Sequence, residues 1–127
     1  MSLTLRILEG ELTILKLPPE MSFPSWLQIS ADPLVSVTYT DDELSIICPS
    51  GAVPAGLKSE PGWRALRVND KLEFSAVGIL SSILSPMAGA GISILSISTF
   101  DTDYILVRAS TLERAKTALA EHFHIAE

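Results

Sequence analysis

Apolar and small polar residues alternate along residues 92–107, where serines interrupt a run of isoleucine and leucine. A period of two with many β-branched residues indicates β-strands. Residues 100–103 form an acidic segment between two apolar stretches, and aspartates favour a turn because they bond to their own backbone. The pattern therefore predicts a β-hairpin. A similar hairpin is predicted over residues 35–48, with an acidic turn at residues 41–43.

The same alternation predicts a hairpin at the start of the chain. Residues 3–8 and 12–17 alternate between apolar and polar side chains, with Glu9 to Glu11 as the turn between them. Pro24 fits the first turn of a short helix, and residues 53–58 are compatible with one or two helical turns. A breaker at residues 59–62 predicts a boundary between two halves of the chain.

The second half has a longer helical pattern. Strands are predicted at residues 63–68 and 72–75, followed by a helix over residues 76–90 whose apolar positions recur at helical spacing. Pro86 lacks a backbone N–H and predicts either a kink there or a break of the helix near Ser85, and Gly91 is expected to close the helix. A last helix should begin after Thr111 as its N-cap. Its predicted buried positions are Leu112, Ala115, Ala118 and Leu119.

The two hairpins superpose when the sequence is shifted by 60 residues, which places Ser36 over Ser96 and Asp41 over Asp101. Few residues are identical, so the repeat is one of element order. It predicts two tandem ββαββα units, residues 1–60 and 61–127. Each unit would place helices on one face of an antiparallel sheet, which is an α+β architecture.

Composition narrows the range of functions. The chain of 127 residues has a formal net charge of −6 with nine lysines and arginines, which disfavours a nucleic-acid partner because phosphate binding needs clustered positive charge. No apolar run reaches the length of a membrane span, and the first residues do not have the pattern of a secretory signal. A single cysteine, Cys48, fits a reducing compartment. We therefore expect a soluble, cytoplasmic protein.

No set of residues predicts catalysis or metal binding. An enzyme site would need a nucleophile or acid with a base and an orienting group, and no such set stands out. His122 and His124 are more simply explained as surface residues than as metal ligands, and the acidic turns do not match a calcium loop. No glycine-rich phosphate loop is present. We therefore expect neither an enzyme nor a cofactor.

The segment AVGILSSILSPMAGAGISILSISTFDTDYILV, residues 76–107, resembles the ACT domain, a ligand-binding regulatory module with a ferredoxin-like βαββαβ fold. The likeness is strongest to the paired ACT units of CASTOR-type amino-acid sensors and weaker to the regulatory region of aspartate kinases. The segment VSVTYTDDELSIICP, residues 35–49, resembles the companion unit. The resemblance implies a non-catalytic protein that binds a free amino acid or a similar metabolite where ACT units meet, as a homodimer.

The resemblance also implies a site, formed by the turn before the residue 76–90 helix and by the strand after it. The residues carried over for ligand binding are Val77, Gly78, Ile79, Ser93, Ile94 and Asp103. Backbone N–H groups at such a turn favour a carboxylate, and Asp103 could hold an amino group. Structural alternatives are that Gly78 allows close helix packing, that Ser93 bonds within its strand and that Asp103 caps its own turn.

Two functions from different classes fit this sequence. A sensor without an enzyme in its own chain would act on a separate, regulated partner protein. The alternative is an interaction or scaffold module that has the ACT fold without ligand binding.

Overall fold

The computed structural model describes residues 3–69 and 78–127. Their strands and helices, in chain order, are β1 (Thr4–Ile7), β2 (Leu12–Leu17), β3 (Ser36–Tyr39), β4 (Leu44–Pro49), β5 (Ser59–Val68), α1 (Ile79–Gly89), β6 (Ile94–Ser98), β7 (Asp103–Arg108), α2 (Leu112–Ala120) and β8 (His124–Ala126). Short 3₁₀ turns follow β4 and β7. The chain is therefore a mixed α+β protein, in agreement with the predicted class.

Backbone contacts divide the chain into two compact units. The first unit combines residues 1–9 with residues 64–127, and the second consists of residues 10–63. This division differs from the predicted boundary after residue 60, because the first strand contributes to the unit formed by the end of the chain. The second unit is inserted between β1 and the second half of β5.

In the first unit the strands pair in the order β8, β1, β5, β7, β6. β1 runs antiparallel to β5, with Leu5 opposite Val68, and parallel to β8, with Leu5 opposite Ile125. From β5 onwards the described elements follow a βαββαβ order, which is the ferredoxin-like order. β1 lies between the first and the last strand of that series. The predicted strand at residues 72–75 lies outside the described residues.

The predicted hairpin of residues 3–8 and 12–17 is wrong, because β1 and β2 do not pair with each other. β1 pairs with β5 and β8, whereas β2 pairs with β4 and with the first half of β5. Gly10 has a φ of 94° in the connection, a conformation that glycine adopts at little cost. Alternation in a strand shows which side chains are buried but not which strand is its neighbour.

The core of the first unit lies between one face of its sheet and the two helices. Ile83 and Met87 of α1 are fully buried there, together with Leu112, Ala115 and Leu119 of α2. These positions recur every three or four residues and form one face of each helix. The predicted buried face of α2 is confirmed at Leu112, Ala115 and Leu119, while Ala118 is half-buried.

Helix α1 contains Pro86 without interruption and ends three residues later, so the predicted break near Ser85 is not found. Gly91 has a φ of 71°, and its N–H donates to Ala88 O at 3.0 Å. The N–H of Ile92 donates to Met87 O at 3.0 Å. These two bonds form a Schellman motif, which confirms the predicted role of Gly91 in closing the helix.

The second unit has a sheet in the order β3, β4, β2 and the first half of β5, and its residues form no α-helix. Loops cover its core, in which Leu15, Leu44 and Ile46 are buried. The short helices predicted at residue 24 and at residues 53–58 are therefore absent from this unit, and with them the first predicted ββαββα unit. Cys48 is buried in this core, and burial raises the pKa of its thiol.

The predicted linker at residues 59–62 is part of strand β5. Leu12 lies opposite Trp63 while Ile14 lies opposite Glu60, so one residue of β2 faces two residues of β5. This is a β-bulge, and Gly62 has a φ of 83° within it. Proline and glycine are tolerated in a strand at such a bulge, which explains why a typical linker sequence forms a strand here.

Candidate functional site

Helix α1 begins directly after Gly78, the first residue described after the gap. Gly78 is exposed and has a φ of 80° and a ψ of 1°, which is the left-handed conformation. A Cβ atom added at this position would meet no atom of the described residues within 4 Å. The left-handed backbone conformation of the turn is therefore sufficient to explain a glycine here. Val77, a predicted site residue, lies outside the described residues.

The first turn of α1 leaves backbone donors available. The first helical hydrogen bond runs from the N–H of Ser82 to Gly78 O at 2.9 Å, so the N–H groups of Ile79, Leu80 and Ser81 have no acceptor within the helix. No side chain from residues 3–69 or 78–127 caps this terminus. The Ser82 hydroxyl donates to Ile79 O at 2.6 Å. The positive end of the helix dipole and these donors together favour a carboxylate.

An open cleft of about 490 Å³ adjoins this helix terminus. Its lining residues come from the start of the chain, from one side of α1 and from the turn between α2 and β8, namely Leu3, Ile79, Ser82, Ser85, Pro86, His122 and Phe123. The volume is within the range of small-molecule sites, and the walls combine apolar side chains with two hydroxyls and an imidazole. The described part of the lining includes no carboxylate and no guanidinium.

Asp103 and the two residues Ser93 and Ile94 lie at opposite ends of the β6–β7 hairpin. Ile94 pairs with Val107 and Ser98 pairs with Asp103, so four residues, or about 13 Å, separate the two positions along the strands. The carboxylate of Asp103 accepts a hydrogen bond from the Ser98 hydroxyl across the hairpin. Asp103 therefore has a bond within the hairpin, to the side chain of Ser98, which differs from the predicted alternative of a cap on the backbone of its own turn.

Two hydrogen bonds show at which end of the sheet the cleft beside α1 lies. The hydroxyl of Thr102 donates to Val68 O at 2.7 Å, and the N–H of Asn69 donates to Thr4 O at 2.8 Å. The beginning of β7, the end of β5 and the beginning of β1 are thus neighbours. Leu3 lines the cleft beside Ile79, so the cleft lies at the same end of the sheet as Asp103.

The structure thus brings together part of the predicted site. Gly78 and Ile79 are adjacent to the cleft, whereas Ser93 is exposed at the opposite end of β6 and Ile94 is half-buried against the core. Ser82 was detectable in the sequence, because it lies one helical turn after Ile79. His122 and Phe123 could not be found, because their position depends on β8, which has no clear sequence pattern.

The described residues contain no cluster of three or more histidine, cysteine or carboxylate side chains that could bind a metal ion. Within the same part of the chain, no helix has both the length and the apolar character needed to cross a lipid bilayer.

Comparisons with known proteins agree with the fold. A family model for the ACT domain matches residues 58–121, and a second family model, for an N-terminal domain, matches residues 10–56. The comparison with curated proteins found no match.

Solved structures from several organisms resemble the chain. A crystal structure of a protein from Agobacterium tumefaciens is 35% identical, covers 100% of this chain and 93% of its own, and has a TM-score of 0.90. A Vibrio cholerae protein of unknown function, called a possible transport protein, is 21% identical over 94% of this chain and 89% of its own, with a TM-score of 0.76. Aspartate kinase from Clostridium acetobutylicum is 11% identical over 94% of this chain and 34% of its own, with a TM-score of 0.63.

Proposed function

The chain belongs to the ACT-domain family, and we propose that it is a non-catalytic, cytoplasmic regulatory protein that binds a free amino acid or a similar small metabolite. The observation that carries this proposal is the start of α1, where an exposed, left-handed Gly78 leaves three backbone donors that no described side chain caps, beside a cleft of about 490 Å³. The ligand's carboxylate would bind these donors, and its side chain would lie in the cleft.

The lining of the cleft limits the class of ligand. Leu3, Ile79 and Phe123 offer apolar contact, and the hydroxyls of Ser82 and Ser85 offer weak polar contact. Among the lining residues that the structure describes, a basic side chain would find no carboxylate and an acidic side chain would find no arginine or lysine. An amino acid with a small, uncharged side chain is therefore the class that fits best.

Ser93 and Ile94 contribute to this site only through a second copy of the chain. In one subunit they lie at the opposite end of β6 from the hairpin turn, about 13 Å away along the strand. A homodimer that brings the beginning of β6 in one subunit to the start of α1 in the other would restore the full set of predicted residues. Ligand binding would then stabilise the dimer, and the dimer would act on a separate, regulated protein.

An interaction module is the second candidate function. The second unit has several large apolar side chains that are more than two-fifths exposed. They are Met21, Phe23, Ile29 and Tyr39. Exposed apolar side chains of this kind are typical of protein contacts when they form one patch. This function requires no small ligand.

Substitution of Gly78 tests the proposed site. A thermal-shift screen against the twenty amino acids is expected to give a rise in unfolding temperature with at least one of them, since a ligand at 100 times its Kd stabilises by about 2.7 kcal/mol. In Gly78→Asn the rise should be lost, because a side chain then covers the open donors. Asparagine tolerates the left-handed conformation better than other residues, so the variant should fold.

Gly91→Asn is the matched control, because Gly91 is also exposed and left-handed but lies at the other end of α1. This variant should keep the ligand-induced rise. Equal loss in both variants would show a general effect on the helix and contradict the site. The absence of any rise in the unchanged protein, with every amino acid at millimolar concentration, would favour the interaction module.

A further inference from the structure

Strands β1 and β5 place two arginines directly opposite each other. Arg6 pairs with Arg67 in the antiparallel register, and both side chains are half-buried. Their neighbours Leu5, Leu66 and Val68 are part of the core beneath the helices. Because side chains alternate along a strand, the two arginines lie on the face of the sheet away from the helices. Like charges directly opposite in a sheet are destabilising unless an anion lies between or beside them.

The two guanidinium groups converge on one neutral acceptor. Arg67 Nη2 lies 3.0 Å from Asn69 Oδ1, and Arg6 Nε lies 3.4 Å from the same oxygen. Arg6 Nη1 is also 3.5 Å from the main-chain oxygen of Glu127. In the described part of the chain, Arg67 has no carboxylate partner. A guanidinium has five N–H donors, so most donors of Arg67 remain available.

A cleft of about 360 Å³ lies beside Arg67, at the end of β5 and the turn between β6 and β7. Its lining residues are Arg67, Val68, Asn69, Thr99, Asp101, Thr102 and Tyr104. The lining is mostly polar and shares no residue with the cleft at the start of α1. Hydroxyl and amide groups surround a half-buried cation, which is an arrangement suited to a small anion.

We propose that this cleft binds a small monoanion through a carboxylate that pairs with Arg67, while Arg6 adds positive potential beside it. Asp101 lines the same cleft, so its carboxylate would favour a ligand that has an ammonium group next to its carboxylate. The site is separate from the site at Gly78 and does not depend on it.

Arg67→Gln is the test of this site. Backbone amide signals of the isotope-labelled protein are followed by NMR at low ionic strength during titration with acetate or glycine. Both should shift the signals of Asn69 and Thr102 in a saturable way. In Arg67→Gln the affinity for acetate and glycine should fall at least about tenfold, because the charged hydrogen bonds are lost.

Arg114→Gln is the matched control, since it removes the same charge from an exposed position on α2, and it should leave the titrations unchanged. Unchanged affinity in Arg67→Gln, or no saturable shift at Asn69 and Thr102 with either acetate or glycine, would overturn the proposal. Without added anions, Arg67→Gln should unfold at the same or a higher temperature than the unchanged protein, because repulsion from Arg6 is removed. A lower unfolding temperature with unchanged acetate binding would show a structural role and also overturn it.

Discussion

A fragment consisting of residues 61–127 is expected to remain unfolded, although it contains the helices and most strands of the first unit. The fragment lacks β1, which lies between β5 and β8 and pairs with both. Without β1, the short β8 has no neighbouring strand, and Leu5 and Ile7 are missing from the core. Far-UV circular dichroism and the dispersion of NMR signals would measure the result.

The same arrangement predicts a fragment that does fold. The N–H of Leu8 donates to Ala65 O at 2.9 Å, so the end of β1 and the beginning of this part of β5 are adjacent. Residues 1–8 joined by an Asn-Gly turn to residues 65–127 would make β1 and β5 a continuous hairpin. This fragment should give dispersed signals. A well-folded fragment of residues 61–127 would contradict the role of β1 and support a contiguous C-terminal domain.

Leu5→Ala in the full chain should have the second large effect. Leu5 is fully buried in the core of the first unit, on the strand that lies between β5 and β8. Truncation of such a side chain removes apolar burial and leaves a cavity, which costs about 2 to 5 kcal/mol. Chemical denaturation would measure this as a fall in the free energy of unfolding.

Ile29→Ala is the control for this truncation, because Ile29 is 74% exposed. Its free energy of unfolding should change by less than about 0.5 kcal/mol. If Leu5→Ala lowers the free energy of unfolding no more than Ile29→Ala does, β1 contributes little to the stability of the core.

Local patterns in the sequence were sufficient to predict several elements. The hairpins β3–β4 and β6–β7 have acidic turns between alternating strands, and both form as predicted. Helix α2 and the closure of α1 at Gly91 were also predicted, because helical spacing and a left-handed glycine are local signals. What these elements share is that their partners or signals lie within a few residues along the chain.

The position of β1 and the course of β5 were not predictable in this way. The partners of Leu5 lie 63 residues ahead, at Val68, and 120 residues ahead, at Ile125. Nothing in the alternation of β1 distinguishes these partners from β2, which follows directly. In the sequence, Pro61 and Gly62 are typical of a linker. In the structure they form a bulge opposite Thr13 within strand β5.

The two hairpins have similar turns, but these turns are 59 residues apart and not 60, and the likeness does not extend to the helices. The Thr40 hydroxyl donates to Glu43 O in the first turn, and the Thr99 hydroxyl donates to Thr102 O in the second. A 3₁₀ turn follows each hairpin. After the second hairpin the chain continues into α2, but after the first Val53 is extended, because the next residue is Pro54 and the position before proline disfavours the helical conformation.

The candidate site shows the same limit. Gly78 and Ile79 belong to one turn and stay together, while Ser93 and Asp103 are separated by the length of β6. A family resemblance groups residues by motif, and it does not show that Ser93 and Asp103 lie at opposite ends of the hairpin. Leu3 and Phe123 also line the cleft, and their positions depend on the long-range pairing of β1 with β8. They could therefore be recognised only in the folded structure.

The most direct test of the account is the position of the ligand at α1. The amino acid that gives the largest rise in unfolding temperature is titrated into the isotope-labelled protein, and the shifts of all backbone amide signals are compared by NMR. The account predicts the largest shifts at Ile79, Leu80 and Ser81, and their loss in Gly78→Asn but not in Gly91→Asn. Saturable binding with the largest shifts elsewhere, and with Ile79 to Ser81 unaffected, would contradict it.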